Sequence, residues 1–288
     1  MPSLLSSISD HPVRHILQNT INYLPLSEQV QMLRSTTGAM NDPKLMAKWA
    51  KQIVKIAQVN DLELENANAV EIGAGHSLGI AALLLLKNVA KVTAIDVKAY
   101  ADPSNLDQFL PIIEKGQEIG LLSKAEDVTP SKIEQGLQYS LVKSDGSWDL
   151  PAESADLVYS FYSGEHWRSV DQVLAEAYRA LKPGGLCIHT IDLRDHYHFH
   201  KNWLQFLYYE EWLWEAMSSK RGRWSNRLLS PQWHEKFQKD FDILLFKSFR
   251  QSLPDGFDVN KLAAPFQKYD SDVLSVFEVL VVARKPFA

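Results

Sequence analysis

The chain reads as an α/β domain built on a largely parallel sheet, and three observations point there. From residue 68 onward, short apolar runs of strand length alternate with segments of helical periodicity. A Gly-x-Gly turn follows the first of those runs directly. The chain then closes on two long apolar stretches with nothing confidently helical between them, the pattern of an antiparallel pair at one edge of the sheet. With 288 residues, 45% of them hydrophobic and 23% charged, there is enough chain for one substantial core carrying an appended cap.

Residues 1–66 contain no convincing strand and are expected to form an N-terminal helical cap, with the α/β domain filling 67–288. Within the cap, Val13, Ile16, Leu17, Ile21 and Leu24 recur at three- and four-residue spacing and predict an amphipathic helix. A second helix is expected over Pro43–Ala57, opened by Asp42 as N-cap and Pro43 at the first helical position. Ser35 to Gly38 between them reads as a loop. The expected strands are Asn68–Ile72, Lys91–Asp96, Gln138–Lys143, Ala155–Ser160 and Gly185–Ile191, with helices over Ser77–Lys87 and Val170–Leu181. After residue 195 the alternation stops. One long aromatic helix over Phe199–Met217 and a short helix opened by Ser230 and Pro231 predict a helical insertion at 196–240. Asp242–Phe249 and Leu274–Arg284 complete the sheet.

Composition narrows the function. Lys and Arg total 30 against 35 Asp and Glu, a formal charge of −5, which disfavours a nucleic-acid partner. The single cysteine, Cys187, excludes an internal disulfide and a thiolate-cage zinc site, and its apolar strand marks it as a small buried filler. The longest apolar run, Ile80–Leu86, falls far short of the ~20 residues that span a bilayer. The opening MPSLLSSISDHPVRH lacks the basic start and apolar core of a signal peptide, so a cytoplasmic setting is expected.

Val70-Glu71-Ile72-Gly73-Ala74-Gly75-His76-Ser77 sets a carboxylate at a strand end, then a glycine turn, then a helix N-terminus with unpaired N–H groups. Asp96 ends the next strand, where a carboxylate can take both hydroxyls of a ribose. A dinucleotide site wants a third glycine where this chain has Leu78, and a pyrophosphate would be repelled by Glu71. Glu71 suits a ligand with a positive group, such as the ammonium or sulfonium of S-adenosylmethionine.

These stretches resemble the class I S-adenosylmethionine-dependent methyltransferases, as do three others. They are TAIDV at 93–97, DLVYS at 156–160 with GEHW at 164–167, and ALKPGGLCIHTIDL at 180–193. The Leu181–Gly185 turn, in which Pro183 and two glycines end a helix and reverse the chain, is the most specific of them. The resemblance implies a Rossmann-like seven-stranded sheet with an antiparallel last strand, S-adenosylmethionine as cofactor, and methyl transfer to an oxygen or nitrogen of a small-molecule acceptor. It implies that Glu71, Gly73 and Gly75 line the methionine and ribose end. Asp96, with Val97 beside it, would hold the ribose hydroxyls, and His76 and Ser77 would border the cofactor in the glycine loop. Asp145 would sit near the adenine amino group, with Asp149 as its rival, and Ser160 and Phe161 would pass beneath the transferring methyl. IDLRDHY followed by Asn226-Arg227-Leu228 is similar to a subset acting on small molecules, some in sugar or polysaccharide assembly. Two rival readings are a catalytically silent S-adenosylmethionine-binding scaffold or regulatory subunit and an NAD-dependent oxidoreductase.

An acceptor hydroxyl would need a general base. His189, His196, His198 and His200 cluster after the fifth strand with Asp192 and Asp195 among them, on the side where open α/β sheets bind ligands. His196 is the expected base, oriented by Asp192 or Asp195, and His166 in GEHW is a second candidate. Arg194 and Arg227 could grip an acceptor carboxylate or phosphate. The alternating His196, His198 and His200 would share a face only on a strand, and a segment leading into a helix splays them, so no metal is expected.

Overall fold

A computed structural model describes residues 12–21, 41–123, 130–198, 202–220 and 224–287. Helix α1 (Pro12–Ile21) comes first, with Val13, Leu17 and Ile21 turned outward and exposed. It docks through Ile16, on the cluster that includes Trp214 and Met217, and through polar contacts. The Asn19 amide donates to the Ala216 carbonyl (3.0 Å) and the Ser219 hydroxyl (3.0 Å), and its oxygen accepts from Lys220 N–H (2.8 Å). Leu24 and the expected loop at 35–38 lie outside the described residues. Helix α2 (Pro43–Val59) begins as the sequence implied, the Asp42 carboxylate accepting from Lys44 N–H at 2.8 Å.

The sheet starts with β1 (Asn68–Ile72), and α3 (Gly79–Leu86) leads to β2 (Lys91–Asp96). All eight residues of α3 are buried, because it is pressed between the sheet and α2. Its start at Gly79, two residues later than expected, leaves Ser77 to place its hydroxyl 3.3 Å from Gly79 N–H. Helices α4 (Leu110–Glu118) and α5 (Pro130–Gly136) precede β3 (Leu137–Leu141) and β4 (Ala155–Phe161). After a short 3-10 turn at Gly164–His166, α6 (Val170–Ala180) runs into β5 (Leu181–Asp192). The expected long helix is broken. A 3-10 turn at Gln205–Tyr208 and α7 (Glu211–Ser218) stand in its place, with Asn202 accepting from Leu204 N–H and Asp195 N–H bonding the Trp203 carbonyl. Side-chain and loop bonds of this kind compete with helix propagation. Helix α8 (Ser230–Gln238) precedes β6 (Asp242–Arg250), and β7 (Val276–Arg284) ends the sheet.

The strand order is β3-β2-β1-β4-β5-β7-β6. β1 to β5 pair in parallel and β7 runs antiparallel to both β5 and β6. One face of the sheet is covered by α2, α3 and α4, the other by α6 and α8, and a third apolar cluster joins α7 to residues 203–209 and 262–274. Helix α2 thus contributes Met46, Trp49 and Ile53 to the main core. The direction of winding reverses between β1 and β4, so a crevice lies beyond their carboxyl ends, where ligands of such sheets sit.

Candidate active site

Glu71 stands beside Tyr159 in the β1–β4 register and is buried, with the Tyr159 hydroxyl donating to it at 3.1 Å. Burial, with the Asp96 charge adding to it, pushes the Glu71 carboxyl up to about 8. Asp96 accepts from Gly75 N–H (2.9 Å) and Val97 N–H (2.7 Å), and burial also raises its carboxyl against those two amides. The glycines differ in purpose. Gly73 (φ +71°) brings β1 so close to the β4 exit that a Cβ would fall 2.6 Å from Ser163 Cβ. Gly75 (φ +63°) has nothing within 4 Å of that position and leaves open space above the turn. His76 Nδ1 lies 3.1 Å from the Tyr100 carbonyl, at the edge of the loop.

The second group of polar residues lies beyond β4 and β5. Tyr162 leaves β4 at φ +53°, a left-handed conformation that turns the chain toward Gly164–His166. Glu165, only 2% exposed, has no hydrogen-bond donor at good geometry on either carboxylate oxygen among the described residues. The N–H groups of Glu165 itself and of Asp192 ease it from poorer positions, while burial and the Asp192 charge hold its carboxyl well above the usual range. Its Oε1 lies 4.0 Å from His166 Nε2 and 3.9 Å from His196 Nε2. His196 Nε2 is also 3.8 Å from Asp192 Oδ2. The His166 Nδ1 contacts the Trp224 carbonyl at 2.5 Å, which fixes the proton on Nδ1 and the lone pair on Nε2. Burial, then His196, push His166 down to about 4.

The expected partners are only partly brought together. Asp192 lies near His196 and also takes a two-pronged grip from Arg194 (2.8 Å on each oxygen), so Arg194 is engaged within the chain. Asp195, fully buried, serves His198 instead: it accepts from His198 Nδ1 (2.8 Å) and from Tyr197 N–H (2.7 Å). The alternating His196 and His198 are turned to different carboxylates, and His200 lies outside the described residues. Arg227 is buried and donates to the Phe206 (3.0 Å) and Tyr209 (2.6 Å) carbonyls and to Glu211, a staple rather than a free grip. Sequence reasoning missed Glu165 as a site residue, although it sits inside the quoted GEHW run.

Comparison with known proteins bears on this arrangement. A family described as "Methyltransferase domain" matches residues 120–189, which include β3, β4, α6 and most of β5. No curated protein matches the chain. Among solved structures, an S-adenosylmethionine-dependent methyltransferase from Mesorhizobium loti is 16% identical, covering 83% of this chain and 98% of its own, with TM-score 0.45. One from Aquifex aeolicus is 14% identical over 84% and 97%, with TM-score 0.41. The CurJ carbon methyltransferase is 14% identical over 84% of this chain and 54% of its own, with TM-score 0.45. Likenesses so distant lend no residue role or substrate, and the family match and the strand order carry the assignment. Residues 120–189 match the methyltransferase-domain family, and the seven-stranded sheet has the class I methyltransferase fold.

The residues of the crevice fit S-adenosylmethionine as cofactor. Two buried carboxylates close enough to affect one another, Glu71 and Asp96, flank an open glycine turn, and the neutral Tyr159 hydroxyl bonds Glu71. A ligand bearing a cation and a diol answers that arrangement. Other expectations from the resemblance change. Ser160 is fully buried on the opposite face of the sheet, 2.8 Å from His189 Nδ1, so its hydroxyl is not in the crevice. Phe161 does face the Glu71 side, stacked on Trp49 of α2 with centroids 5.2 Å apart. Asp145 is exposed and spends its carboxylate on Ser147 N–H (2.9 Å) and Oγ (2.7 Å), a turn-forming role. Asp149 pairs with Lys143 at the surface (3.0 Å). Cys187 is buried, as its strand implied.

Proposed function

We propose that this methyltransferase transfers a methyl group from S-adenosylmethionine to an oxygen or nitrogen of a small-molecule acceptor, held at the cluster of His166, Asp192 and His196. The observation that carries the reading is placement. The cluster lies beyond the carboxyl ends of β4 and β5, next to the β1–β4 crevice that holds the carboxylates for the cofactor. When bound, the cofactor supplies the electrophilic methyl; the protein's task is alignment and exclusion of water. Glu71 meets positive charge, Asp96 holds hydroxyls, and the Trp49–Phe161 stack walls the same side of the sheet. The half-exposed His166 and His196 rings leave a route for an acceptor. The aromatic cluster of Trp203, Trp214 and Trp224 packs the insertion behind them. Among the described residues no helix is long and apolar enough to cross a membrane, which is compatible with an acceptor taken from water.

Isotope-labelled S-adenosylmethionine offered with panels of hydroxyl- and amine-bearing small molecules tests the reading. Label should appear on oxygen or nitrogen, and His196→Ala should lower kcat while leaving S-adenosylhomocysteine affinity intact. Label found on carbon, or only on protein or RNA, would refute it.

A further inference from the structure

Among the described residues, the pocket around Glu165 gathers two buried carboxylates and two imidazoles. Glu165 and Asp192 are both buried and lie in each other's field, and the Arg194 guanidinium is engaged by Asp192. A buried carboxylate without good donors costs several kcal/mol unless a cation or a proton answers it. The Nε2 atoms of His166 and His196 stand 4.0 and 3.9 Å from Glu165 Oε1, too far for a hydrogen bond. Those distances suit something between the groups. Ligand atoms of Glu165, His166 and His196 all lie within 4.8 Å of one another, a set that contracts by under ~1 Å to grip an ion at ~2.0–2.2 Å from each.

We propose that Glu165, His166 and His196 bind a divalent first-row transition ion of the zinc type, with Asp192 beside them, and that this ion holds an oxygen of the acceptor. Two imidazoles and a carboxylate select such an ion over magnesium or calcium, and three protein ligands leave positions open for acceptor or water. The surroundings are built for ligation. The Trp224 carbonyl orients the His166 ring with its Nε2 lone pair toward Glu165. Asn226 secures the ligand loop, its amide donating to the Gly164 carbonyl (2.9 Å) and its N–H to the Glu165 carbonyl (2.8 Å). His166 and His196 are partly exposed, which gives the ion and the acceptor a way in. The ion's role, but not its binding, rests on the methyl-transfer reading above. His196 then serves as a ligand, and the bound acceptor hydroxyl loses its proton to solvent under the ion's charge.

Equilibrium dialysis of the full chain against zinc chloride, followed by metal analysis, tests this, with magnesium chloride in excess as competitor. One zinc per chain is expected, retained in the presence of magnesium. Glu165→Gln and His166→Ala should each weaken binding at least about 100-fold. Glu165→Gln keeps the shape of the side chain, so its thermal denaturation should match the parent's and the loss of zinc is not a loss of fold. No zinc bound, or zinc bound equally by both variants, overturns the proposal. Affinity for S-adenosylhomocysteine, measured in parallel, should be the same in all three proteins; its absence in the parent condemns the methyl-transfer reading and leaves the ion site standing.

Discussion

The crevice beyond β1 and β2 and the cluster beyond β4 and β5 are both built from buried carboxylates, but they are finished differently. Asp96 already holds two backbone amides, and Glu71 holds a tyrosine hydroxyl from the neighbouring strand. Glu165 has no such donor among the described residues, and imidazoles from His166 and His196 stand 4.0 and 3.9 Å from it. The first site is preorganised by its own turn, and a ligand adds to a network that is nearly satisfied. The second lacks such donors, and under the proposal above an ion supplies the positive charge.

The largest expected effect tests the first half of that contrast. Asp96→Ala should raise the dissociation constant for S-adenosylhomocysteine about 100-fold by calorimetry, since charged hydrogen bonds to desolvated hydroxyls disappear. Next comes the support of the second site. Asn226→Ala frees the Gly164 carbonyl and should weaken zinc binding roughly tenfold, read by dialysis, with cofactor affinity unchanged.

Glu71 sharpens the comparison through pH. Its carboxyl ionises near 8 in the unliganded fold against 4.5 ordinarily. The protonated acid therefore supports the fold fully below pH 4.5, and that support drains away as pH climbs through 8. A cationic ligand requires the carboxylate, so binding near neutral pH should release a proton, seen as calorimetric heats that vary with buffer ionisation enthalpy. Glu71→Gln should abolish the release and cost about tenfold in affinity for S-adenosylmethionine.

The smallest effect separates two neighbouring acids. Asp195→Asn disturbs only the His198 contact and the turn at Tyr197, and should cost about 1–3 kcal/mol in chemical denaturation while turnover per folded molecule stays put. A collapse of turnover with normal stability would restore Asp195 to the His196 side.

The two sites also differ in how much of them the sequence disclosed. β1 and β2 were readable to the residue, because buried parallel strands are unbroken apolar runs and the glycine loop, Glu71 and Asp96 follow at fixed points along one unit. The antiparallel β6–β7 pair was readable from the missing crossover. Of the second site, His166, Asp192 and His196 were named, but not Glu165 or their grouping, because the members come from three separate stretches, 164–167, 192–196 and 224–226, that only tertiary packing brings together. Ser160 was misplaced by a matter of phase: one step along a strand exchanges the faces of the sheet, and His189 waits on the far side. The single long helix failed because aromatic periodicity at 203–217 reflects burial from several directions.

Asn19 ties the amino-terminal helix to the end of α7 through three hydrogen bonds, beside the packing of Ile16 on the third apolar cluster. Shortening the chain to Asp42 would therefore leave the seven strands intact. It would strip the Ala216 carbonyl and the Lys220 amide of their partners, and the harm would surface at Trp214 and Trp224, which brace His166 from behind. A segment remote in sequence thus doubles as a buttress for the acceptor-side wall.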